Sequence, residues 1–172
     1  MLIGHLPLGY IIGSALRRRY GEVRGVIAAS LVGSTAPDID MLRFYLIDFG
    51  SYNHRYYFTH WPSFWLAAAV VTLPTIYRLR RAWFLPVVGF YLGVASHLVT
   101  DTVQGPVRWF APFNPTAYEL VRIPALYSHW ILSAMGYWTF LLDIAVCAVA
   151  FLMWRMDRVA APSGARVERT AF

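Results

Sequence analysis

Three short motifs in the chain carry residue types that bind metal ions. His97 and Asp101 form an H-x-x-x-D pair. On a helix, positions i and i+4 share a face, so one imidazole and one carboxylate can reach a common ion. Pro37-Asp38-Ile39-Asp40 closes an apolar run. Pro37 lacks a donor and disfavours helix just before it. In extended backbone Asp38 and Asp40 would point the same way, offering two carboxylates to a hard or borderline cation. His54-Arg55-Tyr56-Tyr57-Phe58-Thr59-His60 brackets an aromatic stretch with two imidazoles, and imidazole is the commonest metal ligand. Arg55 is suited to clamp an anionic oxygen such as a phosphate. Taken singly, each motif has an ordinary reading: a helix-end histidine, a solvated turn, an interfacial aromatic stretch. Together, His5, His54, His60 and His97 with Asp38, Asp40 and Asp101 can hold one divalent ion with supporting partners, or two ions sharing carboxylates. Zinc suits this donor set first and manganese second. Such an ion activates water and polarises an ester. The catalytic roles then fall to Asp40 or Asp101 as base and to Arg55, with Arg108 as a further candidate, as neutralisers of charge on a phosphoryl oxygen. His129 is a possible extra ligand with a structural role preferred. Asp143 lies deep in an apolar run, where a carboxylate is costly unless paired, and a hydrogen bond to a neighbouring helix is expected.

Elements able to gather these residues follow from the apolar pattern. Hydrophobic residues make up 58% of the 172-residue chain and charged ones 14%, against about 25% charged in soluble proteins. A fold this small could not hide that much apolar surface from water, so a bilayer is the natural solvent. Apolar segments cover roughly 2–16, 25–37, 61–77, 82–100 and 130–154. Crossing the hydrocarbon core takes about 20 residues. The last three segments meet that length; the first two are short enough to be packed within a bundle. The expected fold is therefore an all-α integral membrane bundle of about five helices. Its close contacts would use small residues such as Gly9, Gly13, Ala28, Ala29, Gly89 and Gly93. The domain is expected over 1–158, with a disordered cytoplasmic tail over 159–172.

The formal charge is +6, and every basic residue is arginine. The arginines cluster between apolar segments at 17–19 and 24, at 78, 80 and 81, and at 155 and 158. That pattern indicates membrane topology and not nucleic-acid binding. If the clusters mark the cytoplasmic side, the C-terminus lies inside, and all seven candidate ligands converge on the outer face. The cluster Arg17-Arg18-Arg19 follows the first apolar stretch, unlike a signal peptide, so residues 2–16 belong with the mature protein. Residues 102–128, rich in proline and aromatics, are expected as a loop over the outer face. Cys147 is the single cysteine and excludes an intramolecular disulfide.

The succession of motifs resembles a known family: an N-terminal His5, Gly33-Ser34-Thr35-Ala36-Pro37-Asp38-Ile39-Asp40, His54-Arg55 with Thr59-His60, and Ser96-His97-Leu98-Val99-Thr100-Asp101 followed by Pro112-Phe113. Over roughly residues 1–115 this looks like the LexA-binding, inner-membrane-associated hydrolases, also described as membrane-bound metal-dependent hydrolases. The resemblance implies a helical membrane protein with a hydrolase-like metal site at the seven His and Asp positions above. Trp61 stands where that family usually has a small polar residue, which would narrow the site or alter its substrate. A more distant similarity to zinc-dependent phospholipase C favours phosphoester chemistry at a lipid surface.

The expected activity is thus metal-dependent hydrolysis of a phosphoester or related ester in a lipid or lipid-linked substrate, at a bacterial inner membrane. Membrane lipids are the expected surroundings and nucleic acid is not an expected partner. The alternative is a non-enzymatic membrane protein with a structural metal or a partner-binding role. Ion transport would place ligands near the midplane on broken helices, whereas these lie at helix ends. A lipid phosphatase of the vanadium-haloperoxidase type would need a lysine that the chain lacks.

Overall fold

A computed structural model describes residues 2–51 and 53–160. Five longer helices account for most of it: α1 (His5–Tyr20), α2 (Val26–Thr35), α4 (Pro62–Leu79), α5 (Phe84–Gln104) and α7 (Phe140–Ala160). Two helices of six residues, α3 (Met41–Leu46) and α6 (Trp130–Met135), sit in the connections. The all-α expectation holds. Among the described residues the only extended pairing is an isolated bridge between Val107 and Tyr118, within the expected loop after α5.

Local chemistry sets the ends of these elements. Gly21, at φ 87°, stops α1 just after Arg17, Arg18 and Arg19, whose charges suit the negative end of a helix dipole. Gly25, at φ 82°, opens α2. After Thr35 the chain tightens into a 3₁₀ turn over Ala36–Asp40, with Pro37 in its first turn. This corrects the extended backbone expected for Asp38 and Asp40, because Pro37 accommodates a tight turn as readily as an extended strand. The two carboxylates consequently approach different nitrogens of one imidazole, that of His60. α7 continues through Ala160, past the expected domain end at 158; residues 161–172 of the expected tail lie outside the described residues.

α2 packs between α1 and α5, α7 packs on α1, and α4 packs on α5. The α2–α5 approach is backbone to backbone. A Cβ on Gly33 would overlap the Phe90 carbonyl, and one on Gly93 would lie 2.5 Å from the Ser30 carbonyl oxygen. Gly9, Gly13 and Gly89 also make close contacts as expected, but Ala28 is exposed. Ser30 and Ser34, both fully buried, complete the α2 surface that the apolar pattern left unmarked.

Side chains buried in this protein are conspicuously polar: His60, His97, Asp101 and Asp143 are each at most 1% exposed. Large apolar residues face outward on α4 (Leu66, Val70, Val71) and α7 (Leu141, Phe151, Leu152). An apolar exterior on that scale marks contact with lipid or a partner. Among the described residues one helical stretch, Arg81–Gln104, is long and apolar enough to cross a membrane by itself. The other two expected spans fall short for compositional reasons: α4 includes Pro74 and Arg78, and α7 carries Asp143, Arg155, Asp157 and Arg158. Asp157 is no stray charge. It receives Tyr10 Oη (2.7 Å) and Ser14 Oγ (2.6 Å) and pairs with Arg17 (2.7 Å) and Arg18 (2.8 Å). Two of the arginines read as topology markers therefore also tie α1 to α7.

Gly33→Ala should drive α2 from α5. We expect a loss of about 1–3 kcal/mol, as for other overpacked contacts, seen as a lower unfolding midpoint in detergent; an unchanged midpoint would contradict the close approach described here.

Candidate metal centre

The elements around α5 bring the seven predicted ligands together. His97 and Asp101 lie one turn apart near the end of α5. His5 opens α1, and its ring stacks on that of His97 with centroids 3.8 Å apart. Asp38 and Asp40 come from the 3₁₀ turn after α2. His54 and His60 come from two further 3₁₀ turns, His54–Tyr56 and Phe58–His60. His60 meets both carboxylates, one at each ring nitrogen. Its Nδ1 lies 2.6 Å from Asp40 Oδ2, while its Nε2 lies 3.6 Å from Asp38 Oδ1.

Four ligand atoms define a compact centre. His60 Nε2 and His97 Nε2 are 3.3 Å apart. Asp38 Oδ1 is 3.6 Å from the first and 3.5 Å from the second. Asp101 Oδ2 is 3.6 Å and 3.7 Å from the same two nitrogens. Bonds of about 2.0–2.1 Å to a tetrahedral zinc require ligand–ligand edges of about 3.3–3.4 Å. These five distances are each within about 0.4 Å of such an edge, so His60 and His97 with either carboxylate form a face that fits one ion with small contraction. Outer bonds orient the donors in the manner usual for metal-bound histidine. His97 Nδ1 is 2.8 Å from the Ser34 carbonyl, which accepts its proton and leaves Nε2 free as a donor atom. Asp40 plays the same part for His60 and also accepts from Thr59 Oγ1 at 2.5 Å.

A second fit lies alongside. Asp40 Oδ1 and His54 Nδ1 are 3.5 Å apart, and both are buried without a hydrogen-bond partner. Asp38, Asp40, His54 and His60 offer ligand atoms within 4.8 Å of one another, as do His5, His97 and Asp101. On the far side, His5 Nε2 lies 3.1 Å from Asp101 Oδ1, and Asp101 Oδ2 accepts from Arg55 Nε at 2.7 Å. Arg55 is therefore engaged with the cluster and is not a freestanding clamp. Its guanidinium fills the space beside Gly105 that a Cβ would occupy.

Electrostatics follow from this crowding of carboxylates. Burial pulls the His60 imidazole down, but Asp101 and Asp40 outweigh it and push its pKa up to about 9. Burial also raises Asp40, yet the nearby His54 imidazole and the bonds from His60 and Thr59 prevail and hold it below the usual range. Asp38 is raised, first by burial. Without an ion, the centre therefore retains a proton on His60.

A cavity of about 770 Å³ opens onto the cluster. Asp38, His54, Arg55 and Asp101 line its floor; Asp40, the other sequence candidate for a base, does not. Arg108 lies over the Tyr56 ring at 3.9 Å and is not part of the cavity lining. His129 is exposed and caps α6, its Nδ1 accepting from the Ile131 N–H at 3.3 Å. Asp143 accepts the N–H groups of Leu2, Ile3 and Gly4 at 3.0, 2.9 and 2.8 Å. It also accepts from Gln104 Nε2 at 3.1 Å. This matches the expected helix–helix bond and adds a duty: Asp143 secures the segment leading into His5. Sequence reading missed Ser34, Thr59 and Gln104. Ser34 acts through its backbone carbonyl, which side-chain type cannot signal.

The features so far define an all-helical protein with an apolar exterior and a buried His/Asp centre at one end of its membrane-length helix. The YdjM inner membrane protein family matches residues 1–161, and the chain belongs to it. Neither curated proteins nor solved structures provide a match.

Two outcomes are expected here. An ion bound through His60 must displace a proton held below about pH 9, so zinc affinity should weaken as pH falls from 8 to 6, by up to about tenfold per unit. A pH-independent affinity by competition with a chelating dye would contradict that. Gly105→Ala should dislodge Arg55 and weaken metal retention by roughly the 10–100-fold typical of outer-shell losses, measured by the same titration.

Proposed function

We propose that the protein is a multi-pass inner-membrane, metal-dependent hydrolase acting on a phosphoester or related ester of a membrane-borne substrate, with its site at the outer face and its C-terminus in the cytoplasm. The observation that carries this reading is the pair of imidazole nitrogens, His60 Nε2 and His97 Nε2, with a carboxylate oxygen of Asp38 and one of Asp101 each 3.5–3.7 Å from both, beside a cavity that both carboxylates line. His60, His97 and Asp101 would hold the ion, which is zinc by donor type, with manganese as the second choice, and Asp38, the exposed fourth corner, would stand beside the open position. Asp40 and His54 would support it or share in a second. When bound, the ion supplies a water of near-neutral pKa and Lewis-acid polarisation of an ester oxygen.

The chain's own groups account for the rest. Asp38 is 34% exposed as a side chain, whereas Asp101 is 2% and Asp40 3% exposed. Of the three, Asp38 is the carboxylate able to meet both a water and a substrate at the cavity floor, and so to accept the water's proton. Arg55 holds Asp101 in place and presents its charge to the cavity, where it stabilises an anionic oxygen. Asp40 keeps His60 Nε2 turned toward the ion. The alternating arginine clusters favour the stated topology.

One observation supports a second reading. Four protein donors can close a tetrahedral site, and closed sites are structural; were Asp38 to close it, the ion would staple α5 to the turns after α2 and before α4 without turnover. The two readings separate cleanly. Detergent-purified protein should hold about one or two zinc or manganese ions per chain by elemental mass spectrometry, lost in His97→Ala and Asp101→Ala. With the ion present, wild type should hydrolyse a phosphoester panel, and Asp38→Asn should keep folded structure yet lose at least about tenfold in rate, within the range of a lost proton acceptor. Bound metal with no hydrolysis leaves the structural staple; no bound metal sinks both.

A further inference from the structure

The cavity changes character from floor to mouth. At the floor, Asp101 is 1% and Gln104 7% exposed, and Asp38, His54 and Arg55 add polar or charged atoms. Half-buried apolar side chains form the walls: Met41 and Phe44 from α3, Ile131 and Ala134 from α6. At the mouth stand Tyr45, Tyr127 and Trp130, which line the cavity and yet are 51%, 56% and 46% exposed. Tyr and Trp favour the membrane interface. The rim also carries polar Ser51, Asn53 and Ser128, as a mouth at head-group depth would.

Outside the mouth, both flanks are mostly apolar, with the exposed Arg43, paired to Asp48, the charged exception beside α3. Next to Tyr45, α3 and its following turn expose Leu42, Leu46, Ile47 and Phe49. Next to Trp130, the other flank exposes Leu126, Leu132 and Met135. α3 is therefore apolar on two sides, toward the cavity and away from it. A mouth serving only small water-soluble esters gains nothing from such lips. An apolar tail passing between them keeps most of its length in lipid while its head reaches the polar floor.

We propose that the site takes single amphiphiles with an anionic oxyanion head, drawn sideways from the lipid leaflet between α3 and α6. The head rests at Arg55 and the metal centre, and Met41, Phe44, Ile131 and Ala134 grip the first carbons of the chain. This rests on the metal-centre reading above and adds the substrate's form, its path and the residues that select it.

An inert probe tests it apart from turnover. Zinc-loaded protein in nanodiscs is titrated with methylphosphonate and with dodecylphosphonate, neither of which carries an ester bond to cleave. Wild type should bind the dodecyl compound at least about thirtyfold more tightly, a fraction of the roughly fourfold per fully buried methylene that apolar transfer allows. Ala134→Trp, which fills the passage, and Ile131→Asn, which makes its wall polar, should cut that advantage to about threefold or less, while methylphosphonate affinity, metal content and unfolding midpoint stay unchanged. An equal chain-length gain in wild type and both variants would mean bilayer partition alone and would overturn the proposal. Failure of dodecylphosphonate to bind overturns it as well. Chain-dependent binding without hydrolysis of any ester would remove the hydrolase and keep the amphiphile site; hydrolysis of soluble esters without chain dependence would do the reverse.

Discussion

The close approach of α2 to α5 is the constraint on which the rest depends. Gly33 and Gly93 let the two backbones come near enough for the Ser34 carbonyl to accept the proton of His97 Nδ1. That single bond selects the tautomer of His97 and aims its other nitrogen at the centre. The same packing carries the end of α2 into the 3₁₀ turn that delivers Asp38 and Asp40. Helix–helix packing and ligand geometry are therefore one arrangement, and a larger residue at Gly33 disturbs both.

Membrane and metal account for complementary halves of the composition. A protein in lipid gains little from burying leucine, so its interior can be given to polar groups that satisfy one another. His5, His60, His97, Asp40, Asp101 and Asp143 are all buried here, and all but a few of their polar atoms have partners in the cluster or in the backbone. The cost of holding several carboxylates together is met by Arg55, by the proton on His60 and, when present, by a cation. The mean charge of the cluster is thus tied to what it binds.

Much of the site was legible in the sequence, because ligand type and helix-end placement are both sequence properties. His97 and Asp101 follow from i, i+4 spacing on a clearly apolar helix, and the side shared by all seven donors follows from the arginine clusters. Less visible was the division of labour. Asp38 and Asp40 are equivalent by composition, but the 3₁₀ turn sends one to Nε2 and the other to Nδ1 of His60. No periodicity marks so short a turn. The helix ends within the expected spans were less legible for a different reason. Segment 130–154 is apolar on average, yet its helix begins at Phe140 and carries Asp143 and Asp157, whose partners lie on distant elements. α3 and α6, each six residues long, leave no periodic signal at all.

The grip of α7 on α1 bears on the order in which the protein can be made. Asp143 and Asp157, 14 residues or about four turns apart, hold α1 near its two ends, one through the N–H groups before His5 and the other through Tyr10, Ser14 and the arginines. Until those two carboxylates have been synthesised and inserted, the segment leading into His5 has donors with no acceptor. His60, His97 and Asp101 emerge from the ribosome well before that point. A chain stopped short of residue 143 would therefore carry all five ligand-bearing elements but lack the acceptor for the N–H groups that lead into the first of them.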